Sequence, residues 1–384
     1  QPYMDVTIAR QGTQIRGYPN YLDQEQAAKD PGIALHAAFT AAELLRNGVT
    51  TFVELGGHVL VQEALWAQCE ELGIRGYLGP GYDSGRWQSD DKGQLERIPY
   101  PDQGEQLFQD ALAFIRRAQA HESDLIHGIL VPREIENCSL DLLRQTVRAA
   151  DELNLPMATH AGYNVIEFME SVREHGLTPI ELLNHVGMLS PTLNIGHANL
   201  ISNNPKMNYS GGDDLGLMGQ KKVSISHCPV NIVRRARTLD NWKAYRQAGV
   251  NITIGSDTYP RDMFMNMRTA SYHGKVMSHD LTAASAAEVL EAATVAAARS
   301  LGREDLGRLA ANARADMILV RIGRSDVLVS VIDNTYASPV NLRPAELGFD
   351  LGLHAVVEGS FLGFPIQATA LAGVPPTWWD PRRA

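Results

Sequence analysis

Four stretches of this chain end in side chains able to hold a metal ion or move a proton. LPMATH (155–160) closes on His160, LNIGH (193–197) on His197 and VSISH (223–227) on His227, while VNITIG (250–255) runs through Ser256 into Asp257. Each run reads as a buried strand, so each polar residue sits at a strand tip. Imidazoles together with a carboxylate suit zinc or another divalent first-row metal. A lone histidine in such a place is more often structural. Several converging on one point are different, because burying unpaired polar groups is costly. On this reading His160 and Asp257 are metal ligands. His197 is a further ligand or a donor that orients substrate and a bound water. His227, followed by a proline turn, is a substrate contact or a structural residue. His58 in ELGGHVL is a candidate substrate contact just past another strand, TTFVEL, which ends at Glu54 and Leu55.

The elements that must position these residues alternate along the chain. Ile33, Ala34, Ala37, Ala38, Ala41, Leu44 and Leu45 recur at helical spacing, and Gly48 ends that helix before the strand at 50–55. Further strands are expected at 74–78, 125–131, 155–160, 193–197, 223–227 and 250–255, with amphipathic helices such as 140–153 and 239–249 between them. This alternation indicates a parallel sheet. Seven strands make it one short of a (β/α)8 barrel, whose chemistry comes from the C-terminal ends of its strands. MDVTIA (4–9) is a weak candidate for the missing strand, and a position before Gln1 is the favoured expectation.

Past the last of these strands two helices are expected, the second alanine-rich and ending at Gly302, then a strand at 315–322 and a proline-rich tail with Trp378 and Trp379 that fits an interface. The expected organisation is an N-terminal segment at 1–31, a barrel over 32–310 and a C-terminal strand and tail over 311–384. Two long loops, 79–101 and 198–213, follow barrel strands and so fall on the active face. Tyr82, Arg86 and Trp87 in the first suggest a flat or aromatic ligand, with Trp87 the candidate contact. Arg234, Arg235 and Arg237 are read as a solvated basic face rather than an anion site.

Bulk composition narrows the class. The chain has 384 residues, 44% hydrophobic and 20% charged, as a soluble globular protein does. A net charge of −10 disfavours nucleic acid and anionic membrane as partners, and no apolar run approaches the ~18 residues of a membrane helix. Three scattered cysteines make no disulfide framework and fit a cytoplasmic setting.

NGVTTFVELGG, MATHAGY, NIGHANLIS, VSISHCPVNIV, GVNITIGSDTYPRDMFMNMR and EAATVAAARSLG, in this order, resemble the amidohydrolase superfamily. The nearest branch is that of cytosine and guanine deaminases and of triazine and other xenobiotic hydrolases. The resemblance spans roughly 32–321 and implies a distorted TIM barrel with a small β-sandwich built from the chain termini. It also implies one divalent metal, zinc above others, held by a His-x-His pair on the first strand, a fifth-strand His (His160) and an eighth-strand Asp (Asp257). His197 then hydrogen-bonds substrate or the metal's water.

Three departures are visible. None of the twelve histidines belongs to a His-x-His pair, which leads us to expect that pair upstream of Gln1. The Glu that the deaminases carry three residues after the fifth-strand His is Tyr163 here, and a phenol with pKa near 10 is a poor proton shuttle at neutral pH. GILVPREIE has no lysine to carbamylate, which points to one metal rather than two. The expected function is therefore metal-dependent hydrolysis of a non-peptide C–N bond in a small amide, carbamate or urea, with Asp257 and His197 catalytic and Tyr163 near the substrate. Deamination or dechlorination of a heteroaromatic ring is the alternative, and a metal-free barrel acting as a binding protein a third. A homo-oligomer is expected.

Overall fold

The computed structural model describes residues 31–89, 95–202 and 204–320. Helix α1 (Ile33–Arg46) leads into strand β1 (Thr51–Val53), and helix α2 (Val59–Leu72) into β2 (Arg75–Leu78). A hairpin of β3 (Gly85–Ser89) and β4 (Leu95–Pro99) follows, then α3 (Pro101–Gln119) and β5 (Ile126–Gly128). Next come α4 (Leu140–Leu153), β6 (Met157–Ala161), α5 (Val165–His175), α6 (Pro179–His185) and β7 (Leu193–His197). The last part holds α7 (Asp214–Gln220), β8 (Ser224–His227), α8 (Pro229–Val233), α9 (Trp242–Ala248), β9 (Asn251–Ile254), α10 (Met263–Ser278), α11 (Ala286–Ala293) and α12 (Val295–Ser300).

All seven expected strands form. They pair in parallel as β1-β2-β5 and β6-β7-β8-β9. Parallel bridges Leu130–Met157 and Glu134–His160 tie the two sheets together, so the seven strands follow one another in chain order. A parallel sheet has helices over it, and its strands are apolar on both faces for that reason. The larger core lies between strands and helices and includes Trp66, Ile115, Leu143, Leu183, Ile195, Ile225 and Trp242. The opposite face carries a small cluster of Tyr77, Ile129, Val131 and Ala158, flanked by Val53, Leu55 and Leu301.

Three expectations need correction. The loop 79–101 is not open: it folds back as the antiparallel β3–β4 hairpin. The alanine-rich helix is split, because Thr294 leaves helical geometry at φ −127° and ψ −91° and starts a separate short helix. The strand expected at 315–322 does not form over 315–320, where no sheet partner is present among the described residues and Leu319 is 96% exposed. MDVTIA (4–9), the remainder of that strand and the tryptophan tail lie outside the described residues. Among the described residues no helix is long and apolar enough to cross a membrane.

Candidate active site

Strand alternation decides which tips can meet. On β6, Ala158 faces the small inner cluster, so His160, two residues on, faces the same way. Its pairing partners are Gly196 on β7, then Ser226 on β8 and Thr253 on β9. Ser226 Oγ donates to Asn194 Oδ1 at 2.8 Å and lies 3.2 Å from Thr253 Oγ1, which confirms that these residues share a face. Gly196 is what the imidazole needs beside it: a Cβ there would come within 2.9 Å of His160 Cδ2.

His160 Nδ1 lies 3.0 Å from the Arg133 carbonyl oxygen. A carbonyl only accepts, so Nδ1 carries the proton and Nε2 keeps its lone pair, the arrangement common to metal-ligating histidines. Arg133 is fixed in turn by an ion pair with Asp83, both largely buried.

His197 sits one position out of phase and would face the helices if β7 ran on regularly. Instead its φ is 73° and that of Ala198 is 44°, a left-handed pair that L-residues adopt at a cost and that tends to occur at functional sites. The turn brings the His197 ring to 5.6 Å from that of His160, centroid to centroid. Asp257 also has a positive φ, 58°. Its Oδ2 stands 3.5 Å from His197 Nε2 and accepts a hydrogen bond from the fully buried Asn231. Tyr163 completes the group, its ring centroid 5.6 Å from His160 and 6.1 Å from His197.

Burial sets the charge states. It pushes the His197 imidazole well below its ordinary pKa, helped by His160 and Arg235, so the ring is neutral with one N–H to donate. Burial also raises the Asp257 carboxyl, against the pull of His160 and Arg235.

The other expected residues are placed differently. His227 pairs with Ile254 and packs 6.1 Å from Trp242 in the helix layer, 2% exposed, so it is a core residue and not a substrate contact. His58 caps α2, with Nδ1 accepting from Leu60 N at 3.2 Å. Glu54 anchors its own loop through Gly57 N and Gln62. Trp87 is buried in a crevice with Arg97, Glu136 and His175, which neither His160 nor His197 lines. Tyr82 is a core residue bonded to Thr146. Arg234 and Arg237 are not a free basic face: each donates 2.7 Å hydrogen bonds to a loop carbonyl beside the site, Tyr259 O and Tyr163 O.

Sequence reasoning missed Arg133, Asn231 and Glu136. Arg133 acts on His160 through its backbone, which no side-chain pattern can report. Asn231 lies in the quoted HCPVN and could have been found as a polar residue on an otherwise apolar turn. Glu136, in PREIENC, accepts from the Tyr163 hydroxyl at 3.0 Å.

An imidazole whose Nδ1 faces a carbonyl, leaving Nε2 for another partner, and a nearby carboxylate are suitable metal donors. They are not a full set: among the described residues no group of three or more His, Cys, Asp or Glu side chains is placed to hold a metal ion. His160, His197 and Asp257 thus converge without forming a three-ligand cage.

The parallel α/β architecture thus gathers two histidines and an aspartate at the strand ends. The model of the amidohydrolase family matches residues 28–345, and the chain belongs to that family. It is 26% identical over 314 residues to the 5-methylthioadenosine/S-adenosylhomocysteine deaminase of Pyrococcus furiosus, covering 80% of this chain and 69% of that one. To the 5'-deoxyadenosine deaminase of Methanothermobacter thermautotrophicus it is 27% identical over 286 residues, covering 73% of this chain and 61% of that one. Among solved structures, an adenosine deaminase from Xanthomonas campestris with bound zinc superposes with TM-score 0.60 at 24% identity, over 74% of this chain and 60% of that one. The zinc complex of atrazine chlorohydrolase from Arthrobacter aurescens gives TM-score 0.58 at 21% identity, over 72% and 62%. The chain therefore spans three fifths to about two thirds of these relatives' length.

Proposed function

We propose that the chain carries the site of a metal-dependent hydrolase that cleaves a non-peptide C–N bond of a small molecule. The observation that carries this reading is the convergence of His160, His197 and Asp257 on one strand-end cluster, held by strained backbone. In this reading residues 32–310 form a distorted (β/α)8 barrel, an assignment supported by seven parallel strands in chain order. His160 and Asp257 hold one divalent ion, zinc by the nature of the donors, and the remaining ligands come from outside the described residues. His197, in this proposal, is the hydrogen-bond donor beside the metal rather than a ligand.

A bound zinc ion supplies Lewis acidity that makes water nucleophilic near neutral pH. Asp257 takes the proton from the attacking water at Oδ2 and returns it to the leaving nitrogen. His197 donates its N–H to the oxygen on which negative charge develops. Tyr163, standing where the deaminases carry Glu, makes protonation of a ring nitrogen hard, so an amide, carbamate or urea is the favoured substrate. A homo-oligomer in the cytoplasm belongs to the same proposal, consistent with three buried, unpaired cysteines.

Hydrolytic deamination or dechlorination of a heteroaromatic ring is the second reading. Two observations favour it: the relatives named above are deaminases, and Glu136 puts a carboxylate one hydrogen bond beyond Tyr163. Zinc-loaded protein offered N,N′-disubstituted ureas, carbamates, anilides, aminopurines and chlorotriazines separates the two by product. Amine with acid or carbon dioxide supports the first reading, and ammonia or chloride the second. A protein that takes up no stoichiometric zinc sinks both and leaves a metal-free binding barrel.

A further inference from the structure

The backbone at Asp257, with φ of 58°, sets the direction in which its side chain leaves the chain. It does not set the rotation of the carboxylate, because a terminal torsion of this kind is broad and roughly two-fold. Asn231 does that. Its Nδ2 donates to Asp257 Oδ2, which among the described residues is the one hydrogen bond this carboxylate accepts. An ionised carboxylate only accepts, so the amide nitrogen must face Asp257 and the amide oxygen must face away. That oxygen, Asn231 Oδ1, accepts from Thr258 Oγ1 at 3.1 Å. Thr258 directly follows Asp257 in the chain, so the contacts close a small ring around the acid.

The amide is also held from behind. Asn231 lies on the five-residue helix α8, where the N–H of Val230 donates to Asn266 Oδ1 at 3.3 Å. Asn266, on α10, in turn donates through Nδ2 to the Asp262 carbonyl at 2.8 Å. Asn231 and Asn266 are both fully buried. Burying an amide costs free energy that its hydrogen bonds only offset. Leucine has nearly the same size as asparagine and would fill the space without that cost. The fold keeps a donor there instead, aimed at Asp257.

We propose that Asn231 is a positioning residue that, with its own amide held by Thr258, fixes the rotation of the Asp257 carboxylate so that Oδ2 stays beside His197. The bond takes one lone pair of Oδ2 and leaves another to receive a proton. This inference deepens the hydrolase reading above and rests on it for its kinetics, though not for its geometry. Removing the donor leaves the Asp257 backbone in place and lets the carboxylate turn.

The test uses the full chain as wild type, Asn231→Leu, Thr258→Val, Thr258→Ser and the double variant Asn231→Leu with Thr258→Val. Zinc alone, titrated into each form, binds Asn231→Leu about tenfold more weakly than wild type. At saturating zinc, Asn231→Leu lowers kcat by roughly 10- to 100-fold on the best of the compounds named above, with KM within about twofold. Thr258→Val shows a smaller loss of the same kind, and Thr258→Ser, which keeps the hydroxyl, restores it. The double variant is no worse than Asn231→Leu alone, because Thr258 acts through the amide. Crystal structures of the metal-free forms supply the readout that needs no turnover: in Asn231→Leu the Asp257 carboxylate rotates away from His197 while its Cα stays. An asparagine that only packs would change the thermal midpoint and leave the carboxylate and kcat as they are. That result, or additive losses in the double variant, overturns the proposal. If Asn231→Leu does not fold, Thr258→Val against Thr258→Ser decides by the same readouts. A wild type that turns over none of the compounds sinks the hydrolase reading instead, and the crystallographic comparison still decides the role of Asn231.

Discussion

His197 Nε2 and Asp257 Oδ2 stand 3.5 Å apart because both strands end in left-handed backbone, at φ of 73° and 58°. Neither conformation is favoured by L-residues, and both point a polar side chain at the same spot. The two have different tasks in the proposed site, and substitution separates them. Asp257→Asn weakens zinc binding at least about tenfold and removes the proton carrier, so turnover falls by about a hundredfold or more. His197→Gln keeps the zinc and lowers kcat by roughly a hundred- to a thousandfold, as loss of a donor to a developing oxyanion does. Zinc per chain and steady-state rates check this pair. If His197→Gln empties the site of metal as Asp257→Asn does, the donor role is wrong and His197 is a ligand.

Asp83 and Arg133 reach the site at one remove. Their ion pair is buried, with side-chain exposures of 7% and 13%, and the carbonyl of the same Arg133 fixes His160 Nδ1. Breaking such a pair leaves a charge without its partner, which costs about 3 kcal/mol. Asp83→Asn is therefore expected to lower stability by that order and, because the Arg133 backbone loosens, to weaken zinc binding as well. Chemical denaturation and a zinc titration measure the two effects. A variant with reduced stability and unchanged zinc affinity would show that Arg133 holds the loop but not the histidine.

Ala198 is fully buried, yet its φ is 44°. Glycine occupies this region without the Cβ penalty. Ala198→Gly is expected to raise stability by roughly 0.5–1 kcal/mol, the relief of backbone strain outweighing the loss of one methyl. Relaxing the turn also frees His197, so kcat falls while the thermal midpoint rises. A variant that is less stable than wild type would mean that the methyl contributes more packing than the strain costs.

How much of this was legible in the sequence differs by element. Strands such as LNIGH and VSISH were readable because burial on both faces makes a parallel strand nearly all apolar, and helix 140–153 because its apolar face repeats at helical spacing. Faces were harder. Reading every histidine at a strand tip as inward placed His227 with His160, whereas one residue of phase puts Ser226 inward and His227 among the helices. The same rule would have excluded His197, which returns to the site only through a positive φ that no side-chain pattern encodes. The 79–101 hairpin was missed because glycine, proline and charge dominate its composition and, among the described residues, its strands pair with each other and not with the parallel sheet. Arg133 was out of reach because its contribution is a carbonyl oxygen.

His227 gives the pH dependence. Burial holds its imidazole down to about 3, against an ordinary 6.5, and burial pushes His197 in the same direction. Above the ordinary pKa both the folded and the unfolded chain carry His227 neutral, so it adds no pH dependence there. As pH falls from about 6.5 towards 3 the unfolded chain takes up a proton that the folded chain refuses, and stability falls with it, by up to about 1.4 kcal/mol per pH unit for one full proton. His227 Nδ1 has no hydrogen-bond partner in the folded core, so removing the ring strands no partner. His227→Leu is accordingly expected to match wild type near neutral pH, to lose stability less steeply on acidification, and to leave turnover unchanged because the ring faces Trp242. Urea midpoints from neutral pH down to about 4.5 measure the slope. Equal slopes for variant and wild type would mean that His227 is protonated in the fold, and a collapse of turnover would return it to the substrate.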